Sequence, residues 1–332
     1  MNGSYGQMSQ QAEAKEVSAK GRAPSRVIFG WIVFFITIGG LLAGGVVFTL
    51  LTATCAWIAS QEYLNIMKAK GLNPSPRIVR TMTVVFYIVA GSHSLVGLFP
   101  GAPKAMGLTP EMPFEHYPFL LTLGVCMSFF RLLFRTDRPG NPATIGDIAT
   151  TILGFIYIGW MGSHIVLLRN LVPPGQALIP EPLRQPGLAY VWAALFATIA
   201  TDVFAYYGGK KLGKRLLYPQ ISPKKTVEGA LSGLFAAMFW TTFVVYASDT
   251  WLFPATQPFH GQLWQAPLFG AAMSVAAQLG DLCESMLKRD AGVKDSGSAI
   301  PGHGGLLDRG DGLLFAAPVA FYWVCAFLLG IW

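Results

Sequence analysis

The sequence is poor in charged residues and in cysteine, and both shortages limit what the protein can be. Only 12% of its 332 residues are Asp, Glu, Lys or Arg, about half the share of a soluble domain. Its four cysteines fall in apolar segments without a CxxC pair, which argues against a disulfide framework or a zinc site. A Walker loop and a GxGxxG motif are also missing. With 53% hydrophobic residues, the chain is expected to be an all-α polytopic membrane protein.

The hydrophobic runs predict about nine transmembrane helices, since one crossing needs about 20 apolar residues. The run 28–60 is long enough for two short helices, and Gly39-Gly40 or Gly44-Gly45 would allow a turn between them. The other predicted spans are 81–99, 117–134, 148–168, 188–209, 229–247, 265–285 and 312–332.

The positions of Lys and Arg favour nine spans over eight. With a hairpin at 28–60 and an inner N-terminus, 20 basic residues fall inside and three fall in outer loops. A single span there would place the four basic residues of the tail outside, against the positive-inside rule. We therefore predict a cytoplasmic N-terminus, cytoplasmic loops at 208–228 and 286–311, and a C-terminus on the opposite side. The net charge of +7 then reflects topology and not nucleic-acid binding.

Three regions are expected along the chain. Residues 1–27 form a polar tail that we expect to be disordered and that has no clear signal-peptide cleavage site. Residues 28–197 form the N-terminal transmembrane helices. Residues 198–332 form the transmembrane region that carries the candidate chemistry.

Acidic residues inside apolar helices are the first candidate functional groups, because ionisable side chains are costly in a membrane. Asp281, Ser285 and Lys288 have the spacing of one helical face. Asp202 lies in another apolar helix, ahead of a loop in which Lys224 and Lys225 adjoin hydroxyl groups. The alternatives are an Asp that reaches the interface and is neutralised by a neighbouring cation, and a basic loop that only sets topology.

A glycine-rich loop, PGHGGLLDRGD, follows at residues 301–311. Its glycines permit close approach of the backbone to a phosphate, and His303 between them is a candidate phosphate contact. Asp308 and Asp311 come where the last span begins, so they either cap that helix or supply oxygen ligands to Mg²⁺. Glu62 and Asp147 are weaker signals, the first in an interfacial stretch and the second placed to cap a helix.

Residues 285–311 resemble the signature of the phosphatidate cytidylyltransferases, or CDP-diacylglycerol synthases. The resemblance rests on Ser285-x-Leu287-Lys288-Arg289, Lys294-Asp295-x-Gly297, Ile300-Pro301-x-His303-Gly304-Gly305 and Asp308-Arg309-x-Asp311. The segment 222–229, SPKKTVEG, and the surroundings of Asp202 agree with it. The resemblance covers roughly residues 60–332.

The resemblance implies an enzyme, a nucleotidyltransferase that converts CTP and phosphatidic acid to CDP-diacylglycerol and diphosphate with Mg²⁺. By resemblance, Asp281 and Asp308 ligate a metal pair and Asp311 assists. The implied catalytic residues are Asp202, Asp281, Lys288, Asp308 and Asp311. The implied substrate-binding residues are Ser222, Lys224, Lys225, Glu228, Ser285, Arg289, Lys294, Asp295, His303, Gly304, Gly305 and Arg309.

Other classes remain as alternatives. A CTP-dependent polyprenol or phytol kinase would also need Mg²⁺ and basic loops, but it would transfer the γ-phosphate to an alcohol. A transporter would use Asp202 and Asp281 to couple ion flux, and it predicts an internal repeat that the sequence does not show. A scaffold would leave the acids in apolar helices unexplained. The expected partners are CTP, phosphatidic acid and the bilayer, with a homodimer suggested by the family alone.

Overall fold

The computed structural model describes residues 30–32, 34–92, 116–136, 142–171, 186–252, 259, 262–299 and 304–330. The polar tail 1–27 and His303 lie outside these residues. The helices in chain order are α1 (Gly30–Ala43), α2 (Gly45–Ala69), α3 (Pro76–Ala90), α4 (Tyr117–Thr136), α5 (Ile145–Arg169), α6 (Pro186–Leu212), α7 (Val227–Leu252), α8 (Leu263–Asp290) and α9 (Leu307–Leu328). Two short strands, β1 (Leu216–Tyr218) and β2 (Ser222–Thr226), lie between α6 and α7.

Six helices, α4 to α9, are long and apolar enough to cross a membrane. This agrees with the predicted all-α membrane protein. Helices α1 and α3 are shorter, and α2 carries Glu62 and Lys68 toward its end. The count of nine spans therefore stays a prediction.

The apolar run 28–60 is interrupted where the sequence has two adjacent glycines. Gly44 and Gly45 have φ angles of 60° and 48°, a left-handed conformation that glycine adopts without a Cβ penalty. The fully buried Arg169 donates from Nε to the Leu41 carbonyl at 3.1 Å. A Cβ at Gly44 would lie 2.4 Å from Arg169 Nη2. Glycine is therefore required at this break for two reasons: the left-handed backbone angle, and the space that the Arg169 guanidinium occupies beside Gly44.

Several helices begin earlier than hydropathy suggests, and local hydrogen bonds fix the starts of α5 and α7. Thr144 and Asp147 form a reciprocal capping box at the start of α5, as the cap interpretation of Asp147 predicts. Thr226 accepts the Gly229 N–H at 3.1 Å and so starts α7. Helix α9 begins at Leu307, five residues before the predicted span, so Asp308 and Asp311 lie within its first turns.

Polar loops at one end of the helices contact each other directly. Lys70 pairs with Asp290 at 2.7 Å, which joins the loop after α2 to the end of α8. Arg135 donates to the Asn73 carbonyl at 2.7 Å, which joins the end of α4 to the same loop. A third contact, at 3.5 Å, runs from Arg289 Nε to the carbonyl of Ile221 in the hairpin turn. These contacts hold four basic segments together at one end.

The segment between α6 and α7 is not a plain loop. Strands β1 and β2 pair antiparallel, with Leu216 opposite Thr226 and Tyr218 opposite Ser222. This hairpin is an addition to the all-α prediction. Its second strand, SPKKT, contains proline and two lysines, which are residues depleted in strands, so a strand was not expected there.

Candidate active site

The candidate site forms where α8 and α9 cross at very short range. A Cβ at Gly280 would lie 2.4 Å from the Asp311 carbonyl oxygen, and a Cβ at Gly312 would lie 3.3 Å from Ala277. Small residues at a crossing let helix backbones approach closely in a membrane. Each of these glycines is next to an acid, Asp281 on α8 and Asp311 on α9. The crossing therefore brings these two acids together.

Helix α6 is brought to the same place by a second pair of glycines. Gly229 and Gly233 of α7 lie one turn apart, and a Cβ on either would come within 2.7 Å of a carbonyl oxygen of α6. Helix α6 carries Asp202 on its exposed surface. The carboxylates of Asp202, Asp281 and Asp311 interact electrostatically with one another. Three acids from three helices thus share one region.

Cations balance part of this negative charge. Lys225 of β2 forms an ion pair with Asp281, and both side chains are partly exposed. Ser285, one turn further along α8, lies 3.4 Å from the same Asp281 carboxylate. Arg309 and Lys225 interact electrostatically with Asp202. The basic segment after α6, which was predicted as a loop and forms strand β2, therefore reaches the acidic residues.

Lys288 links two carboxylates on different helices. Its ammonium lies 2.5 Å from Asp308 and forms an ion pair with Glu284, one turn earlier on α8. Glu284 is fully buried and Lys288 is 11% exposed. Glu284 was not among the predicted site residues, although its spacing of four residues from Lys288 is typical of an ion pair on one helix.

The Asp308 carboxylate holds the glycine-rich loop. It accepts the Gly305 N–H at 2.9 Å and the Ser296 N–H at 3.1 Å, besides the Lys288 ammonium. Gly304 has φ of 86°, and a Cβ there would lie 3.0 Å from Asp308 Oδ2. In this arrangement Asp308 orders the loop and orients Lys288.

Glu62 of α2 holds the same loop from the other side. Its buried carboxylate accepts the N–H groups of Leu306 at 3.0 Å and Leu307 at 2.8 Å, and the Ser296 hydroxyl at 3.1 Å. Gly305 packs so tightly that a Cβ would lie 2.6 Å from Glu62 Oε2. From the sequence, Glu62 was expected only to lie in an interfacial stretch. Its carboxylate instead fastens the start of α9 to α2.

Glu228, predicted to bind substrate, is bound here to the protein backbone. Its carboxylate accepts the N–H groups of Lys214 at 3.0 Å and Arg215 at 3.2 Å. This fixes the chain ahead of the β-hairpin and so places Lys225. Of the neighbouring candidates, Ser222 is half-buried and Lys224 is exposed.

Of the remaining candidate residues, four are solvent-facing, two lie in the glycine-rich loop, and one is outside the described residues. Arg289, Lys294, Asp295 and Arg309 have exposed side chains, which leaves them accessible to a soluble ligand. Gly304 and Gly305 lie in the loop ordered by Asp308. His303, the candidate phosphate contact, is outside the described residues.

Tyr157 is a further residue near the acids that no sequence pattern indicated. It belongs to the π-helical segment Phe155–Met161 of α5, and such segments often occur at functional sites. Its hydroxyl is buried and, in the part of the chain that the structure describes, has no hydrogen-bond partner. The phenol interacts electrostatically with Asp311, Glu284 and Asp281.

The donor set suits a hard cation. The available groups are carboxylate oxygens, which Mg²⁺ prefers, and the mutual repulsion of Asp281 and Asp311 would be relieved by one. Among the described residues, no three His, Cys, Asp or Glu side chains are already gathered as ligands. To hold a metal, Asp281 would give up its ion pair with Lys225, whereas Asp308 would give up Lys288 and two backbone amides. Asp281 and Asp311 therefore fit a metal better than Asp308.

Comparison with known proteins agrees with the signature. The model of the cytidylyltransferase family matches residues 24–327. The phosphatidate cytidylyltransferase of Synechocystis sp. (strain PCC 6803) is 33% identical over 319 residues, covering 91% of this chain and 97% of the relative. The Bacillus subtilis phosphatidate cytidylyltransferase is 31% identical, with 91% and 97% covered. The chloroplastic phosphatidate cytidylyltransferase 4 of Arabidopsis thaliana is 33% identical, with 95% and 76% covered. With a family match over nearly its whole length, the chain belongs to the cytidylyltransferase family.

Proposed function

We propose that this protein transfers the cytidylyl group of CTP to the phosphate of phosphatidate, giving CDP-diacylglycerol and diphosphate. The observation that carries the proposal is the meeting of Asp202, Asp281 and Asp311, from three apolar helices, with Lys225 and Lys288. Such a site serves two anionic reactants, one soluble and one held in the bilayer. The relatives named above carry the same activity in their names.

The reaction forms one P–O bond and breaks another. An oxygen of the lipid phosphate attacks the α-phosphorus of CTP, and the bond from that phosphorus to the bridging oxygen of diphosphate breaks. The attacking and leaving oxygens stand in line, so the protein mainly positions the reactants and stabilises charge. The lipid phosphate needs no proton removed, so the acids of the site serve to hold cations.

Basic side chains lower the repulsion between the two phosphates. Lys288 stands beside the loop and is held in one orientation by Glu284 and Asp308. Lys225 lies on the β-hairpin and pairs with Asp281. Arg289, Lys294 and Arg309 are exposed. The two arginines suit bidentate contacts to phosphate oxygens, and the lysine suits a single contact. The Ser285 hydroxyl orients the Asp281 carboxylate.

Asp281 and Asp311 would hold Mg²⁺, with Asp202 balancing the nearby cations and Asp308 keeping the loop and Lys288 in place. The ion supplies positive charge that neutralises the phosphates of CTP and the departing diphosphate. A second metal ion would draw on the same acids. By resemblance Asp308 is also expected to be a metal ligand, and that role would require Asp308 to release Lys288 or an amide.

The active site faces the cytoplasm in this proposal, together with the N-terminus, and the C-terminus lies on the other side of a nine-span protein. Contacts among the basic loops support one common side, since Lys70 meets Asp290 and Arg289 meets Ile221. The distribution of 20 inner and three outer basic residues supports the cytoplasm as that side. CTP is available there.

The reaction is tested with purified protein, phosphatidate micelles, Mg²⁺, and CTP labelled separately at the α- and γ-phosphates. We expect α-label in the lipid and γ-label in diphosphate. Retention of α-label in solution by folded protein would refute the proposal. Transfer of γ-label to a lipid alcohol would instead identify a kinase.

The site assignment is tested by two acidic variants. Asp311→Asn should raise the Mg²⁺ concentration needed for half-maximal rate, because it removes a metal ligand. Asp308→Asn should abolish turnover, because the loop and Lys288 lose the carboxylate that holds them. Membrane insertion should stay intact. Wild-type activity in the Asp308→Asn variant would show that Asp308 has no role in the active site.

A further inference from the structure

The Tyr157 hydroxyl is a buried polar group that the proposed mechanism does not yet use. The side chain is 4% exposed, and its oxygen has no hydrogen-bond partner among the residues that the structure describes. Buried polar groups in proteins are nearly always hydrogen-bonded, because an unpaired one costs stability. An unpaired hydroxyl beside an active site is therefore a donor that a ligand can use.

Other buried tyrosines in the described part of the chain do form such bonds. Tyr63 donates to the Thr150 carbonyl at 2.7 Å, and the Tyr117 hydroxyl lies 2.6 Å from the Ser163 hydroxyl. Both partners belong to α5, one before Tyr157 and one after it. Tyrosine hydroxyls packed against this helix thus find partners, and the unpaired state of Tyr157 is particular to its position.

That position is on the side of the acids. The Tyr157 ring packs edge-to-face against Phe315 of α9, with centroids 6.1 Å apart, and Phe315 lies one turn after Asp311 on that helix. The phenol interacts electrostatically with Asp311 and with Glu284 and Asp281 of α8. Helix α5 therefore contributes a neutral donor to the region where α8 and α9 cross.

The three acids near this hydroxyl already have partners of their own. The pairs are Asp281 with Lys225, Glu284 with Lys288, and Asp311 with the N–H of Gly312 at 2.7 Å. A hydroxyl donor bonds most strongly to an ionised acceptor. The ionised acceptors that the proposed reaction adds to this region are phosphoryl oxygens. Two lysines lie there to balance their charge.

We propose that the Tyr157 hydroxyl donates a hydrogen bond to a phosphoryl oxygen of a bound substrate. Phosphatidate and CTP offer the same acceptor, and the experiment below distinguishes them. The contact positions the phosphate without adding a charge. This inference rests on the proposed function and adds to it a substrate contact from α5, a helix that holds none of the site residues predicted from the sequence.

Tyr157→Phe tests the contact because it removes the hydroxyl and keeps the ring against Phe315. A hydrogen bond to a charged group is lost, so kcat/KM should fall about tenfold or more. The unfolding temperature without ligand should stay at or above the wild-type value, since the described structure gives this hydroxyl no bond to lose. A lower unfolding temperature would mean that the hydroxyl has a structural partner and would overturn the proposal.

Tyr117→Phe is the matched control. The Tyr117 side chain is 3% exposed, close to the value for Tyr157, but its hydroxyl has a bond to Ser163. Its loss should lower the unfolding temperature and leave kcat/KM near the wild-type value. The two variants thus separate a hydroxyl that serves a ligand from one that serves the fold.

Thermal shifts with one substrate at a time identify the phosphate without turnover. Wild type and Tyr157→Phe are heated with Mg²⁺ and either dihexanoyl phosphatidate or CTP. Loss of the lipid shift in the variant assigns the contact to phosphatidate, and loss of the CTP shift assigns it to CTP. Equal shifts in both proteins for both ligands would overturn the contact and leave the proposed function standing. Shifts absent from the wild type for both ligands would refute both.

The Mg²⁺ requirement separates a phosphate contact from an effect on Asp311. The Mg²⁺ concentration for half-maximal rate should be unchanged in Tyr157→Phe, in contrast to Asp311→Asn. A raised requirement would show that the hydroxyl acts through the carboxylate, against the proposal. Ligand shifts that depend on Tyr157 in a protein without cytidylyl transfer would refute the proposed reaction and keep the phosphate contact.

Discussion

Replacement of Glu62 by alanine should release the glycine-rich loop from α2. The Glu62 carboxylate is the described acceptor for the N–H groups of Leu306 and Leu307 and for the Ser296 hydroxyl. The bonds from the Leu307 N–H and the Ser296 hydroxyl are buried and the bond from the Leu306 N–H is part-buried, so water does not readily replace the lost carboxylate. The start of α9, where Asp308 and Asp311 lie, would lose its anchor.

The size of the effect follows from the number of donors left without a partner. Each buried donor that loses its acceptor costs about 1–3 kcal/mol. Three donors set an upper range of about 3–9 kcal/mol, but they share one acceptor and their losses do not add fully. We expect the lower end, about 3 kcal/mol for local opening, which corresponds to roughly a hundredfold faster amide exchange.

Hydrogen exchange of the Leu306 and Leu307 amides in lipid nanodiscs measures this effect. Gln61→Ala is the matched control, because Gln61 adjoins Glu62 on α2 but makes only an exposed bond to Asn65 at 2.8 Å. That bond is worth about 0.2–0.5 kcal/mol. Exchange in Gln61→Ala should therefore stay near the wild-type rate.

Cytidylyltransferase activity should fall in Glu62→Ala together with the protection of the loop, with the KM values for both substrates raised. Wild-type protection of Leu306 and Leu307 in Glu62→Ala would refute the anchor. Lost protection with unchanged activity would show that the loop is anchored there but that catalysis does not need it.

Three further predictions follow from other contacts. Lys288→Met leaves the buried Glu284 carboxylate unpaired and should lower the free energy of unfolding by about 3–5 kcal/mol. Adding Glu284→Gln should restore stability but not turnover. A double variant as unstable as the single one would contradict this. Gly280→Ala places a methyl group 2.4 Å from a carbonyl of α9 and should reduce kcat roughly tenfold or more, whereas Gly39→Ala, with nothing within 4 Å, should not; equal rates would speak against the helix crossing. Lys70→Ala breaks an ion pair whose ends are both exposed and should change stability by about 0–1 kcal/mol, so a larger shift in the unfolding temperature would contradict it.

Hydropathy and charge predicted most of the helical framework because burial in a membrane demands long apolar runs. The spans from 117 to 332 correspond to α4–α9, and the family signature identified the region where the acids meet. Helix starts were predicted less well. Thr144 and Thr226 begin their helices through side-chain caps, which hydropathy does not register.

The contacts that organise the site were harder to predict, for physical reasons. Glu62 bonds to groups more than 230 residues away, and no local pattern reports such a distance. Tyr157 lies in an apolar segment where a tyrosine is unremarkable from sequence. By contrast, Glu284 was predictable, since an acid four residues before Lys288 on one helix is an ion-pair spacing.

The bonds from Glu62 to the glycine-rich loop join the N-terminal helices to the part of the chain that carries the signature. A fragment comprising residues 186–332 would begin with α6 and contain the whole signature, yet Leu306 and Leu307 would have no carboxylate to receive their N–H groups. Coexpression of that fragment with residues 1–185 supplies Glu62 in trans. Recovery of activity on coexpression, and its absence when the second fragment carries Glu62→Ala, would make the two halves a complementation pair whose joining can be read out in living cells.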